Sequence, residues 1–211
     1  MVLSVSPNEF IPTRQSLLAR IKDLGDQESW HDFFNTYWKL IYGVAIQSGL
    51  NESEAEDIVQ ETLIAVSKAI PEFEYEPEVC SFKSWLRLLV RRRIADRFRK
   101  RGRELPAEAH AAQNETGTAE IDRLADPAGP EADAIWEREW QKTLIDVALE
   151  RLKRQVKPEQ YQIFYLLAVK QLPPREVAKA LGVNIGRVYL VKHRLIKPFQ
   201  NAVKELAAKL V

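Results

Sequence analysis

The feature of this sequence that most restricts its fold is a helix-turn-helix pattern over residues 173–198. Gly182 lies where the chain must turn sharply, and glycine adopts a positive φ without strain. Asn184 is a good N-cap for the helix that follows the turn. Apolar residues recur at helical spacing on both sides of the turn and would face inward. They are Val177, Ala178 and Leu181 before the turn and Val188, Val191 and Leu195 after it.

The second helix of this pattern leaves a largely basic face outside. The residues of that face are Arg187, Tyr189, Lys192, His193, Arg194 and Lys197. An apolar inner side, a glycine turn and a basic outer side are typical of helices that enter the major groove of DNA. The alternative is an ordinary helical hairpin whose charged side is solvated.

A second concentration of charge lies on a helix that is predicted to begin with Ser81 as its cap. Its basic residues are Arg87, Arg91, Arg92, Arg93, Arg97, Arg99, Lys100, Arg101 and Arg103, against one acid, Asp96. Phe82 and Trp85 lie on the same helix, and basic charge beside aromatic rings suits a nucleic-acid backbone and unstacked bases. A basic, solvated helix is the alternative. The net charge of the whole chain, +1 over 211 residues, hides this local excess.

The preceding helix, predicted over about residues 53–70, has an acidic outer face that includes one large apolar residue. The face consists of Glu56, Asp57, Gln60, Glu61, Ile64 and Lys68. Ser53 and Glu56 predict a capping box at the beginning of this helix. A face of this kind suits a partner protein, or it is simply solvated, and the sequence leaves these two interpretations equal.

Helical periodicity continues through the rest of the chain, and no strand-like alternation persists. Thr13 and Pro158 suit helix beginnings. Small, acidic and proline residues replace large apolar ones between the two helical parts, which predicts a flexible linker. The predicted fold is all-α, with two small helical domains joined by that flexible acidic linker. The domains span residues 13–104 and 134–211, the linker spans residues 105–133, and the second domain contains the helix-turn-helix.

The sequence offers no pattern for enzymatic chemistry. It has no glycine-rich phosphate loop and no Ser-His-Asp or Cys-His arrangement. Glu54, Asp57 and Glu61 share helical spacing, but carboxylates at such spacing usually face water. Cys80 is the single cysteine, so it makes neither an internal disulfide nor a zinc site by itself. We therefore expect no enzymatic activity, no metal and no cofactor.

The amino-terminal residues lack the basic start and apolar run of a signal peptide,. No later stretch reaches the roughly 18 uninterrupted apolar residues of a membrane-spanning helix. From this pattern we expect a cytoplasmic protein without a membrane span.

Three motifs, in this order, resemble those of bacterial RNA polymerase sigma factors of the small, two-domain extracytoplasmic-function type. The most specific is residues 54–62, EAEDIVQET, which is similar to the family's core-polymerase-binding signature. Residues 73–77, FEYEP, leading to residues 81–86, SFKSWL, resemble the promoter-melting segment. The third motif is the helix-turn-helix over residues 177–194.

The resemblance implies a region-two-like domain over residues 13–104 and a region-four-like domain over residues 134–211. Residues implied in core polymerase binding are Asp57, Gln60, Glu61 and Ile64. Residues implied in recognition and melting of the minus-ten element are Phe73, Tyr75, Ser81, Phe82, Lys83, Trp85, Arg87, Arg91, Arg92 and Asp96. Residues implied in reading the minus-thirty-five element are Asn184, Arg187, Tyr189, Leu190, Lys192, His193, Arg194 and Lys197.

The partners that the resemblance implies are core RNA polymerase, promoter DNA and an anti-sigma factor, which the sequence does not identify. At two places this chain departs from the family's pattern. The family often has glycine where Cys80 stands. Its recognition helix usually carries small polar residues and lysine where this chain has Tyr189, Leu190 and Val191, so the promoter sequence does not follow from the resemblance.

The function predicted is that of a sigma factor, which binds core RNA polymerase and directs promoter-specific transcription initiation. The alternative is a conventional helix-turn-helix DNA-binding transcription regulator, which would bind duplex DNA tightly by itself. That alternative gives the acidic helix and the basic helix of the first domain no shared purpose. A nucleic-acid enzyme is a third class, but it needs clustered metal-binding acids or a nucleophile, and the sequence shows neither arrangement.

Overall fold

The computed structural model describes residues 14–73, 81–104 and 129–210, and within these ranges the regular elements are all helical. The all-α prediction is thus confirmed for the described part of the chain. The elements are α1 Arg14–Arg20, α2 Gln27–Gln47, α3 Glu52–Ala69, a 3₁₀ turn Ile70–Glu72, α4 Phe82–Glu104, α5 Pro130–Gln155, α6 Pro158–Ala168, α7 Pro174–Leu181 and α8 Ile185–Leu210. None of these described helices has both the length and the apolar character that crossing a bilayer takes. Thr13, Cys80 and the predicted linker up to residue 128 lie outside the described residues.

The chain divides into two compact units, one of Met1–Thr143 with Lys209–Val211 and one of Leu144–Ala208. Among the described elements, α1 to α4 and the first half of α5 belong to the first unit. The second half of α5, with α6, α7 and nearly all of α8, forms the second. Residues 134–143 therefore pack with the first unit, whereas the sequence assigned them to the second domain. The predicted domain and linker boundaries stay a prediction.

The aromatic side chains of α2 form a broad stripe that divides between core and surface. Phe33 and Tyr37 are buried, and their rings lie 6.1 and 5.5 Å from the ring of Phe82 in α4, measured between centroids. Phe34 is 38% exposed and stacks on Trp38. Because neighbouring positions of one helix point about 100° apart, only part of so broad a stripe reaches the core.

The first half of α5 completes this aromatic core. Trp136 and Trp140 are each 1% exposed, and Trp140 stacks on Tyr37 with the ring centroids 6.4 Å apart. The buried Glu139 lies against Gly43 of α2, where a Cβ atom would overlap its carboxylate. Gly43 therefore serves the close approach of α5 to α2.

The capping box of α3 lies two residues earlier than predicted from Ser53 and Glu56. Asn51 Oδ1 accepts a hydrogen bond from the Glu54 N–H at 2.9 Å, and Glu54 Oε2 accepts one from the Asn51 N–H at 3.0 Å. Both pairs have the spacing of a capping box, so spacing alone did not separate them. The buried Leu50 directly before the cap favours the observed register,.

The helix-turn-helix prediction for the second unit is confirmed. Gly182 ends α7 in the left-handed conformation, with φ of 64°. Asn184 Oδ1 accepts the Gly186 N–H at 2.7 Å at the beginning of α8. The core of the unit consists of Leu149, Leu152, Ile163, Phe164, Val177, Val188, Val191 and Leu195. Val188, Val191 and Leu195, which were predicted to face inward from this helix, are thus in the core.

Asn51→Ala is expected to lower the free energy of unfolding by about 1 kcal/mol, as the loss of an N-cap side chain typically does. Ser53→Ala is the matched control, because it shortens a side chain in the same first turn without removing the cap. Its effect should stay within about 0.5 kcal/mol. Urea denaturation followed by circular dichroism measures both changes, and equal losses from the two variants would contradict the observed cap.

Candidate nucleic-acid and partner interfaces

The outer face of α3 is exposed, but it is narrower than the sequence predicted. Ile64 is 54% exposed, and Gln60 and Glu61 are exposed beside it. Asp57 is half-buried, and Nη2 of Arg97 in α4 lies 3.2 Å from its Oδ2. The surface that remains open to a partner therefore centres on Ile64 and its two polar neighbours.

Two of the three α3 carboxylates that share helical spacing, Glu54 and Asp57, pair with an arginine. Arg97 Nε lies 3.4 Å from Oε1 of the buried Glu54, in addition to its contact with Asp57. In the part of the chain that the structure describes, no three His, Cys, Asp or Glu side chains are grouped to hold a metal ion. The charge of Arg97 meets two acids at once, so this contact ties α3 to α4.

The basic residues of α4 form a surface that phosphate groups can reach. Those with exposed side chains include Arg92, Arg99, Lys100 and Arg101. Asp96 balances part of this charge, because it pairs with Arg93 at 3.7 Å and with Arg99. Ser81 caps the helix as predicted, its Oγ accepting the Ser84 N–H at 3.2 Å. The predicted basic helix and its predicted cap are both present.

Three of the predicted minus-ten residues are held by carboxylates of α5. Lys83 Nζ lies 2.5 Å from Glu137 Oε2. Asp133 Oδ1 lies 3.0 Å from Arg87 Nη2 and 3.2 Å from Arg91 Nη1. The hydrogen bond from Lys83 is the main cause that lowers the pKa of the Glu137 carboxyl. The acids of α5 thus occupy the places at which these cations would bind phosphate.

The aromatic residues predicted to contact DNA lie at different depths. Phe82 is fully buried and Phe73 is 8% exposed. Trp85 is partly exposed and packs on Phe73 with the ring centroids 4.6 Å apart. In this structure Phe73 and Phe82 support the surface from beneath, because both complete the core, whereas Trp85 presents ring surface. Tyr75 lies outside the described residues.

The outer face of α8 mixes basic and apolar side chains. Tyr189 and Leu190 are 54% and 64% exposed. The remaining exposed residues of the predicted face include Lys192, His193, Arg194 and Lys197. Arg187 is also exposed, but its Nη2 lies 2.7 Å from Oε2 of Glu159 in α6. With Ile185, which is 38% exposed, the helix therefore offers three large apolar side chains near its amino end.

Sequence reasoning missed the acids that pair with the predicted DNA-binding cations. Asp133 was assigned to the linker, and no role was given to Glu137 or Glu159. One signal was available: Asp133 and Glu137 are four residues apart and so share a helix face. Trp136 and Trp140 have the same spacing, and their burial turns the adjacent acids toward α4.

Comparison with known proteins relates this chain to RNA polymerase sigma factors. Residues 33–104 match the sigma-70 region 2 family. The chain is 25% identical over 183 residues to the ECF RNA polymerase sigma factor SigE of Mycolicibacterium smegmatis, covering 87% of this chain and 65% of that protein. It is 24% identical over 193 residues to the ECF RNA polymerase sigma factor BldN of Streptomyces coelicolor, covering 88% of this chain and 67% of that protein. The chain thus spans about two-thirds of the length of these curated relatives.

A solved structure of CnrH in complex with the cytosolic domain of CnrY also aligns with the chain. The alignment covers 93% of this chain and 97% of that chain, at 18% identity and a TM-score of 0.36. At this TM-score the likeness says nothing further about the fold.

The helices α2, α3 and α4, with their acidic and basic faces, coincide with the sigma-70 region 2 match and define a sigma-type helical domain. Residues 33–104 thus carry a sigma-70 region 2 domain, and over most of its length the chain is similar to RNA polymerase sigma factors of the extracytoplasmic-function type.

Asp133→Asn combined with Glu137→Gln should raise the affinity of the full-length protein for a fluorescein-labelled single-stranded oligonucleotide. Each surface ion pair is worth about 0–1 kcal/mol, so the expected gain is about two- to fivefold. Fluorescence anisotropy at low salt measures it.

The matched control is Glu28→Gln with Glu150→Gln, which makes the same charge change at two carboxylates paired elsewhere, with Arg20 and Lys153. An equal gain from the control would show a general charge effect and contradict a specific role for the acids of α5.

The lowered pKa of Glu137 gives stability a pH dependence. A carboxyl whose pKa is lower in the folded state stabilises the fold above its ordinary pKa, about 4.3 for glutamate, and that contribution is lost as pH falls through the folded value. Glu137→Gln should therefore lose part of the stability at neutral pH and show a smaller loss on acidification. Thermal unfolding at a series of pH values checks this, and parallel curves for variant and wild type would contradict it.

Proposed function

We propose that this chain is a promoter-specificity subunit of bacterial RNA polymerase. The first unit binds core polymerase and the melted minus-ten element, and the second unit reads the minus-thirty-five element. The main support for the proposal is that one chain contains both a sigma-70 region 2 match and a helix-turn-helix whose basic residues are exposed. The polymerase performs the chemistry, and this chain supplies binding and specificity.

The outer face of α3 is the proposed contact with core polymerase. Its exposed centre is Ile64, and the polar Gln60 and Glu61 surround it. An apolar centre with a polar rim is the usual anatomy of a protein interface. Asp57 joins this surface at its edge, where Arg97 already engages it.

The exposed part of α4 is the proposed contact with the minus-ten element. Arg92 and the other exposed cations of this helix would bind phosphates, which gives affinity without reading sequence. Trp85 would stack on an unpaired base, a contact worth about 1–3 kcal/mol. Lys83, Arg87 and Arg91 would join once they exchange the acids of α5 for phosphate.

The second unit is the proposed reader of the minus-thirty-five element. The amino-terminal turns of a recognition helix reach base edges in the major groove. In α8 these turns carry Tyr189, Leu190 and His193, all exposed. Lys197 lies one turn further on, where a cation suits phosphate rather than a base edge.

An anti-sigma factor is a further proposed partner, on the ground of family resemblance. Because core polymerase and promoter DNA are the proposed partners, the proposed site of action is the bacterial cytoplasm.

Glu61→Arg combined with Ile64→Ala should reduce recovery of core RNA polymerase with the tagged full-length chain at least tenfold. The pair removes the apolar centre of the α3 face and reverses the charge beside it, and loss of a central interface residue costs about 2 kcal/mol or more. Co-purification from a mixture of purified components measures the loss. Asp57→Arg is avoided, because it would repel Arg97 within the fold.

The matched control is Glu52→Arg, which reverses an exposed acid of the same helix nine residues before Glu61. Nine residues are about two and a half helical turns, so Glu52 lies on the other side of α3. Equal loss from both variants would contradict docking through the proposed face. No polymerase recovery by wild type, together with tight duplex binding by the chain alone, would favour the conventional helix-turn-helix regulator.

A further inference from the structure

The amino-terminal half of α8 exposes large apolar side chains where a recognition helix meets base edges. Val188 and Val191 are buried at 0% and 2% exposure and define the inward side of this helix. At about 100° per residue, Leu190 and His193 lie on the opposite side. Leu190 is 64% exposed, and in the described part of the chain no large apolar side chain exceeds this value. Tyr189 is 54% exposed beside it.

Two polar side chains at the amino end of α8 already have partners within the second unit. Asn184 Oδ1 accepts the Gly186 N–H at 2.7 Å. Arg187 Nη2 lies 2.7 Å from Glu159 Oε2, so Arg187 must leave that acid before it can pair with guanine. Gly186, four residues before Leu190, places no side chain on the outward face. The first turns of α8 thus expose Tyr189 and Leu190 on the outward side, and the exposed cations Lys192 and Arg194 follow them along the helix.

The base edges of the major groove contain one apolar group, the C5-methyl group of thymine. A leucine side chain packs on such a methyl group. Against guanine or cytosine it would instead cover a hydrogen-bonding group without replacing its bond to water, which is unfavourable. The exposed Leu190 side chain therefore matches thymine rather than guanine or cytosine.

We infer that Leu190, with Tyr189 beside it, is a specificity-determining residue that packs on thymine methyl groups in the minus-thirty-five element. This inference rests on the proposed function of the second unit in binding that element. It assigns the sequence preference to methyl contact, with the nearby cations holding phosphates.

The test uses the full-length chain assembled with core RNA polymerase and a pool of duplexes randomised in the upstream promoter region. The enriched duplex is then synthesised with each thymine replaced in turn by deoxyuridine, which differs only in lacking the methyl group. For wild type, at least one replacement should weaken binding about fourfold, the factor that corresponds to one buried methyl-sized group. Leu190→Ala should bind the thymine and deoxyuridine duplexes equally.

Lys197→Ala is the matched control on the same outward face. It removes a proposed phosphate contact, so it should weaken binding to both duplexes by one common factor and keep the preference for thymine. Leu190→Gln is a second variant of similar length that lacks the apolar end, and it should lose the preference as Leu190→Ala does. Thermal unfolding of both Leu190 variants should match wild type, because the side chain is mostly exposed.

The outcomes separate this inference from the proposed function. An enriched duplex that wild type binds equally with thymine or deoxyuridine overturns the inference and leaves the proposed function standing. A thymine preference that survives in both Leu190 variants assigns the methyl contact to another residue and also overturns it. Failure of the polymerase complex to enrich any duplex contradicts the proposed minus-thirty-five role and the inference together.

Discussion

The packing of Trp140 against Tyr37 is the interaction on which the arrangement of the first unit depends. Trp136 and Trp140 are almost fully buried, and burying an aromatic side chain of this size contributes about 4–6 kcal/mol before the cost of ordering it. This contact fixes the first half of α5 beside α2 and α4. Lys83 lies 5.5 Å from the Trp140 ring centroid, so one core residue also positions a proposed DNA-binding cation.

The two proposed DNA-binding surfaces differ in chemistry because their surroundings differ. On α4, the cations nearest to α5 are already paired with acids, so phosphate has to replace a carboxylate. On α8, the amino-terminal turns expose Tyr189 and Leu190, so the proposed base recognition there depends on shape and methyl contact as well as on charge. On α4, phosphate groups therefore compete with the carboxylates of α5 for the same cations. The α8 surface instead suits recognition of particular bases.

Much of the fold followed from local patterns in the sequence. Gly182 predicted the turn, because only a residue without Cβ takes a left-handed conformation there at little cost. Val188, Val191 and Leu195 predicted the inner face of α8, and all three are buried. The predicted position of the α3 cap was wrong by two residues, because Asn51 and Ser53 are each followed by a glutamate three positions later. Burial of Leu50 distinguishes these two caps, and burial depends on residues far away in the chain.

The sequence by itself determined the helices, their inner faces and the order of the acidic, basic and helix-turn-helix parts. These features depend on spacings of three to seven residues, which are visible in any helical segment. The tertiary structure decided which outer faces stay open to partners. Lys83 meets Glu137 across 54 positions and Arg187 meets Glu159 across 28. The packing of separate helices creates such pairs, and for this reason no local spacing in the sequence encodes them.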